Sequence, residues 1–225
     1  MIAILIGITL ATIVLPGLWA QHVLQKYQHE DLHLKGTGGE LALHLIKRFE
    51  LVGVTLEESK VGDHYDPETK CVRLTEQNMT GQSLTAVATA AHEVGHALQH
   101  YKGYKPILMR TQLVKNAMIM EKVGSSAMMI APIAMLLTKS PFISGLLFSA
   151  AILSMLTLSL VHLVTLPVEF NASFGRALPI LRDGYLEPDQ IKVAEKILLA
   201  CALTYLAQSL MSLLNLGRWL AVFRR

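Results

Sequence analysis

His92, Glu93 and His96 stand in the order H-E-x-x-H. On a helix of about 3.6 residues per turn, positions i and i+4 share one face about 6 Å apart along the axis. Two imidazoles at that spacing can converge on one zinc ion at about 2.0–2.1 Å. Glu93, rotated by about 100°, stays out of the ligand set but can reach a water that zinc has acidified. Such a carboxylate takes the water's proton as it attacks a carbonyl, then passes it to the leaving amine. These letters therefore predict zinc-dependent hydrolysis of an amide, with His92 and His96 as ligands and Glu93 as general base. Gly95, between them, is costly in a helix and implies a close neighbour on that face.

A catalytic zinc needs a third protein ligand. His100 extends the i, i+4 series, but it lies about 12 Å from His92 along the axis and cannot share the ion. Gln99 and Lys102 stand where a longer metzincin motif needs Gly and His. His100 reads instead as a helix-end histidine. Glu169 is the best third ligand, placed where a long apolar run ends in Leu166-Pro167-Val168-Glu169. Ser173 and Arg176 follow at i+4 and i+7, on the same face if the helix continues. Ser173 is then a candidate to orient the ligand, and Arg176 to pair with Glu169 or stabilise an oxyanion. His64 and Tyr65 are further oxyanion candidates, although Asp63 and Asp66 around them have turn chemistry. His162, a lone imidazole in an apolar run, is not assigned as a ligand.

The elements that must position these residues follow from composition. Just over half of the 225 residues are apolar, at 52%, and only 16% are charged. Charges are absent from 1–20, 123–138, 141–168 and 197–217. Runs near or above about 20 apolar residues suit a bilayer crossing. The pattern predicts a mostly α membrane protein of about four transmembrane helices, with a small α+β zincin-like cytoplasmic domain. The expected division is a membrane helix at 1–20, a peptidase domain at 21–122, a helical hairpin at 123–168, a cytoplasmic segment at 169–196 carrying the third ligand, and a final membrane helix at 197–217. No Lys or Arg precedes the first run, so it reads as an uncleaved anchor rather than a signal peptide. All twenty Lys and Arg except Lys139, Arg218, Arg224 and Arg225, and all seventeen acidic residues, fall on one side of this arrangement. By the positive-inside rule that side is cytoplasmic.

Within the polar part, Glu40–Phe49 reads as a short helix. Val52–Glu57 and Cys71–Glu76 read as a small hairpin around a Gly62–Pro67 turn. The HExxH helix is expected over 83–102, with Ser83 as N-cap and Gly103 closing it. Segment 71–76 is a candidate template on which substrate could add a strand. Cys71 and Cys201, far apart in sequence, are not expected to pair. The slight positive net charge follows from the sidedness and asks for no nucleic acid. Small residues in the last run would permit close packing, within one chain or between two copies.

Several blocks resemble the YugP-type zinc metallopeptidases of bacterial membranes. They are Asp63-His64-Tyr65-Asp66-Pro67, Ala90-Ala91-His92-Glu93-Val94-Gly95-His96-Ala97, Thr165-Leu166-Pro167-Val168-Glu169-Phe170-Asn171-Ala172-Ser173 and Ala202-Leu203-Thr204-Tyr205. The Glu169 segment is also similar to the gluzincin pattern, in which a Glu on a second helix completes the zinc site. In membrane gluzincins of the HtpX type that Glu begins E-x-x-x-D, whereas Ser173 stands at the Asp position here. The resemblance implies a multi-pass peptidase of the bacterial plasma membrane, holding one zinc per chain and acting on protein or peptide at the cytoplasmic face. The alternative is a non-catalytic metal-binding membrane scaffold, against which Glu93 argues. A transporter would need more ionisable groups within the apolar runs.

Overall fold

The centre of the molecule is the helix that carries His92. The computed structural model describes residues 2–29, 31 and 34–213, and the side chains of some helical residues, His162 among them, lie outside the described set. Helix α4, Leu84–Tyr101, begins where the Ser83 hydroxyl accepts from the Ala86 N–H at 3.1 Å. It ends as Gly103 turns left-handed, φ +64°, with its N–H on the His100 carbonyl. Every residue from Thr85 to Gln99 is buried. A helix without a solvent face belongs in a core, and the alanines of α4 let neighbours approach from every side.

Those neighbours come from both ends of the chain. Helix α1, Ile2–Lys26, contributes Ala20 and Val23 to the core. Helix α2, Gly38–Arg48, opens with a capping box, Thr37 Oγ1 accepting from the Glu40 N–H and Glu40 Oε2 from the Thr37 N–H. It buries Leu41, Ala42, Leu45 and Ile46 along one stripe. Strands β1 (Thr55–Ser59), β2 (His64–Asp66) and β3 (Cys71–Thr75) form a sheet of order β1-β3-β2. Short helix α3, Glu76–Thr80, leads into α4. Helix α5 (Lys105–Thr138) and α6 (Pro141–Phe170) form a long hairpin joined through left-handed Lys139. A π-helical segment, Asn171–Ala177, continues α6 into α7 (Leu178–Arg182), and α8 (Pro188–Leu213) returns to the core beside α4.

The sheet departs from the expected hairpin. β1 and β3 run parallel, and the antiparallel partner of β3 is β2, which lies inside the segment expected to be a turn. Asp66 explains the difference. Its carboxylate accepts from the Glu68 N–H and the Thr69 hydroxyl, so the tight reversal sits at 66–70, one strand later than turn residues alone suggest. β3 is consequently the central strand, hydrogen-bonded on both sides, and cannot serve as the template for an added substrate strand.

The expectation of about four membrane helices is also overturned. Among the described residues one helix, α5, is long and apolar enough to cross a membrane, and the apolar stretch recognised in α6 is the shorter Pro141–Ala150. Neither of the other two runs passes that test among its described residues, and the last shows a different cause. In α8, Ile197, Leu198, Ala200, Cys201 and Ala202 are buried. Helix α1 meets α8 so closely that a Cβ on Gly17 would lie 3.2 Å from the Ala207 Cβ. Apolar sequence on all sides suits a protein core as well as lipid, and hydropathy does not distinguish them. The end of the last run, 214–217, lies outside the described residues.

Candidate metal centre

His92 and His96, one turn apart on α4, point their Nε2 atoms at one carboxylate oxygen. Glu169 Oε2 lies 3.3 Å from His92 Nε2 and 3.1 Å from His96 Nε2, and Glu169 is fully buried. The three possible ligand atoms all lie within 4.8 Å of one another. Glu169 reaches them from the last turn of α6, and the π-helical segment that follows packs against α4 at Gly95. A Cβ on Gly95 would lie 2.9 Å from the Ala172 carbonyl oxygen, so the close neighbour that this glycine implied is the π-helical segment.

Hydrogen bonds fix the tautomer of both rings. Ser173 Oγ donates its only proton to the Leu198 carbonyl at 2.8 Å, so it accepts from His92 Nδ1–H at 2.9 Å. Gln99 turns its amide nitrogen to the Val168 carbonyl and to Asn171 Oδ1, each at 2.9 Å. Its Oε1 is left to accept from His96 Nδ1–H at 3.0 Å. Each imidazole thus carries its proton on Nδ1 and presents the Nε2 lone pair inward. Two lone pairs and a carboxylate oxygen facing one another in a buried space repel unless a cation or extra protons lie between them.

The donor set fits zinc. Tetrahedral ligands about 2.0–2.1 Å from an ion sit about 3.3–3.4 Å apart, against the 3.1 and 3.3 Å between Glu169 Oε2 and the two imidazoles. Carbonyl, hydroxyl and amide groups behind both histidines are the outer contacts that metal-binding imidazoles need. Glu169 has its own. Arg110, on α5, sets Nη1 2.8 Å from Oε1, as an ion pair off the line of a directed hydrogen bond. Burial alone would raise the Glu169 carboxyl. The His96 and His92 rings against it and the Arg110 guanidinium outweigh burial and hold the group well below the usual carboxylate range.

Glu93, buried beside His92, behaves differently. Burial pushes its carboxyl up to about 7, with His92 pulling down and the charges of Glu169 and Asp63 pushing further up. Two carboxyls in one site with opposed proton affinities suit a ligand and a base. Two cavities flank the triad. One of about 690 Å³ is lined by His92, Glu93, Asp63, His64, Asn78 and Thr89, among others. The other, about 420 Å³, lies on the His96 side with Tyr65, Arg110, Ile107, Val114 and Met118.

The remaining candidates divide. His64 is brought to the cleft, where Nδ1 donates to the Gly62 carbonyl at 3.0 Å. Tyr65 bonds His100 Nδ1 at 2.8 Å, and His100 stands apart from the triad. Ser173 orients His92 rather than Glu169. Arg176 is not the partner of Glu169. Arg110 holds that place, and the Arg176 Nε is buried with no hydrogen-bond partner among the described residues. Sequence reasoning missed Gln99 and Arg110. Gln99 was noticed only for failing a longer motif, although a Gln three residues after a ligand His is placed to bond it. For Arg110 the signal was the expected hairpin, since Arg110 stands as far before the 139–140 turn as Glu169 stands after it. Cys71 and Cys201 are buried free thiols.

The family described as "Putative neutral zinc metallopeptidase" matches this chain over residues 2–224. A protein of Bacillus subtilis (strain 168) named "Putative membrane protease YugP" is 35% identical over 217 residues, covering 91% of this chain and 90% of that protein. No solved structure matches.

Proposed function

We propose, for a chain that belongs to this zinc metallopeptidase family, that it cleaves peptide bonds with His92, His96 and Glu169 as zinc ligands and Glu93 as general base. The observation that carries the reading is the locked tautomer of both imidazoles, whose Nε2 lone pairs face the Glu169 carboxylate in a buried space. A zinc ion held there supplies Lewis-acid polarisation of the carbonyl and acidifies water. The residues do the rest. Ser173 and Gln99 hold the rings in register, and Arg110 keeps Oε1 of Glu169 turned away from the two histidines. Glu93 takes a proton from the attacking water. A carboxyl with an affinity near neutrality can also give that proton up to the departing nitrogen.

The place of action in this reading is a membrane surface. Helix α5 has the length and hydropathy for it, and it exposes Met129, Ile130, Ile133 and Leu136. The relative from Bacillus subtilis carries "membrane" in its name.

Chelation tests the reading. Purified protein should cleave an unfolded protein substrate, lose the activity with its zinc on dialysis against a chelator, and regain it when one equivalent is restored. Cleavage that survives complete removal of zinc would overturn it.

A further inference from the structure

We propose that the cavity beside Glu93 is a subsite for a positively charged side chain, Lys or Arg, on the residue that carries the leaving amine. The proposal rests on the peptidase reading and adds a substrate class to it. In peptide hydrolysis the water's oxygen joins the carbonyl carbon, the C–N bond breaks, and the nitrogen takes a proton. Glu93 delivers that proton, so the nitrogen and the residue behind it lie on the Glu93 side of the metal centre. The cavity of about 690 Å³ opens there, with both Glu93 and His92 in its wall.

Its charge inventory is one-sided. Among its described lining residues there is no Lys or Arg, while Asp63 and Glu93 both line it. Asp63 is held by neutral donors alone. Oδ1 accepts from the Thr75 N–H at 2.7 Å and the Thr75 hydroxyl at 3.1 Å, and Oδ2 from Asn78 Nδ2 at 2.8 Å. A carboxylate offers about four lone-pair sites, which leaves room on Oδ2 for one further donor. Asp63 is therefore fixed in place with no cationic partner among the described residues, a poor setting for an apolar or acidic guest and a good one for an ammonium or guanidinium group. The cavity across the metal centre differs. Its cations are paired, Arg110 with Glu169 and Lys115 with Glu68, and Ile107, Val114 and Met118 make much of the remaining wall apolar. A basic side chain is thus drawn to the leaving-amine side, where the carboxylate of Asp63 has no cationic partner among the described residues.

The test uses zinc-loaded full-length protein and peptides that differ only after the scissile bond, which carries Lys, Gln, norleucine or Glu. Cleavage position is read by mass spectrometry and rate as kcat/KM. Lys should exceed norleucine by roughly tenfold, the scale of one charge-assisted hydrogen bond, with Glu slowest. Raising salt from about 0.05 to about 0.5 M should narrow the Lys advantage through screening. Asp63→Asn should bring the Lys-to-norleucine ratio toward one, and the salt profile of the wild type gives the same answer should that variant fail to fold. Binding of the four peptides to zinc-loaded Glu93→Gln, read by fluorescence anisotropy, separates the two readings. Cleavage by the wild type without preference for Lys overturns the subsite and leaves the peptidase standing. Preferential binding of the Lys peptide with no cleavage by the wild type supports the subsite and overturns the peptidase. Neither cleavage nor preferential binding overturns both.

Discussion

Helix α8 and the α5–α6 hairpin look alike in composition and live in opposite surroundings. The described part of α8 buries Ile197, Leu198, Ala200 and Ala202 beside α4, and its Leu198 carbonyl takes the Ser173 proton that sets the His92 tautomer. The hairpin exposes Ile130, Ile133, Leu136, Leu137, Phe142 and Leu146. In α8 apolar sequence builds the wall of a buried polar site, whereas in the hairpin it presents a surface that water does not suit. Glu169 and Arg110, in the last turn of α6 and the second turn of α5, stand at the base of the hairpin, and Ser173 just beyond it bonds Leu198 of α8, so the metal centre sits where the apolar hairpin enters the core.

Changes on one side of that division should leave the other alone. The largest effect expected is Glu169→Ala. Loss of a ligand should weaken zinc binding well beyond the 10–100-fold typical of outer contacts, while membrane association, read by flotation on vesicles, stays unchanged. Ile130→Lys is the converse. A charge placed mid-helix in lipid costs about 3 kcal/mol, so membrane partition should fall by roughly a hundredfold while zinc content holds at one per chain. Equal loss of zinc in that variant would erase the division.

Arg110→Met probes the junction. Removing the cation that holds Glu169 Oε1 should weaken zinc binding about 10–100-fold, measured by competition with a chromophoric chelator. An unchanged affinity would reduce the 2.8 Å ion pair to a packing contact.

The smallest effect lies in the β2–β3 turn. Burial would raise the Asp66 carboxyl, but hydrogen bonds from Arg73, Thr69 and the Glu68 and Thr69 N–H groups outweigh it and lower the group from 3.8 to about 2. A folded-state value below the unfolded one stabilises the protein above about pH 4 and is lost as pH falls toward 2. Asp66→Asn should therefore cost about 1–2 kcal/mol at pH 7, and the gap in denaturant midpoint between variant and wild type should close in acid. A gap that is constant with pH would remove the carboxylate from the account.

What was legible in the sequence was local. His92, Glu93 and His96 declare themselves because four residues of one helix fix their relation, and Ser83 and Gly103 mark that helix's ends. Glu169 could be picked out because it ends an apolar run. Contacts between distant elements were not legible. Arg110 meets Glu169 across the α5–α6 hairpin, and Ser173 meets His92 where Gly95 lets the π-helical segment against α4. The role of Ser173 was accordingly misassigned from its i+4 relation to Glu169. Strand β2 was hidden by its turn residues, and the membrane count was inflated because a buried core helix and an exposed apolar helix share one composition.

The most direct measurement compares wild type with Glu93→Gln, recording bound zinc and cleavage of an unfolded protein substrate in each. The account predicts one zinc in both proteins and turnover in the wild type alone. Turnover at the wild-type rate in Glu93→Gln, or a well-folded wild type that binds no zinc, would contradict it.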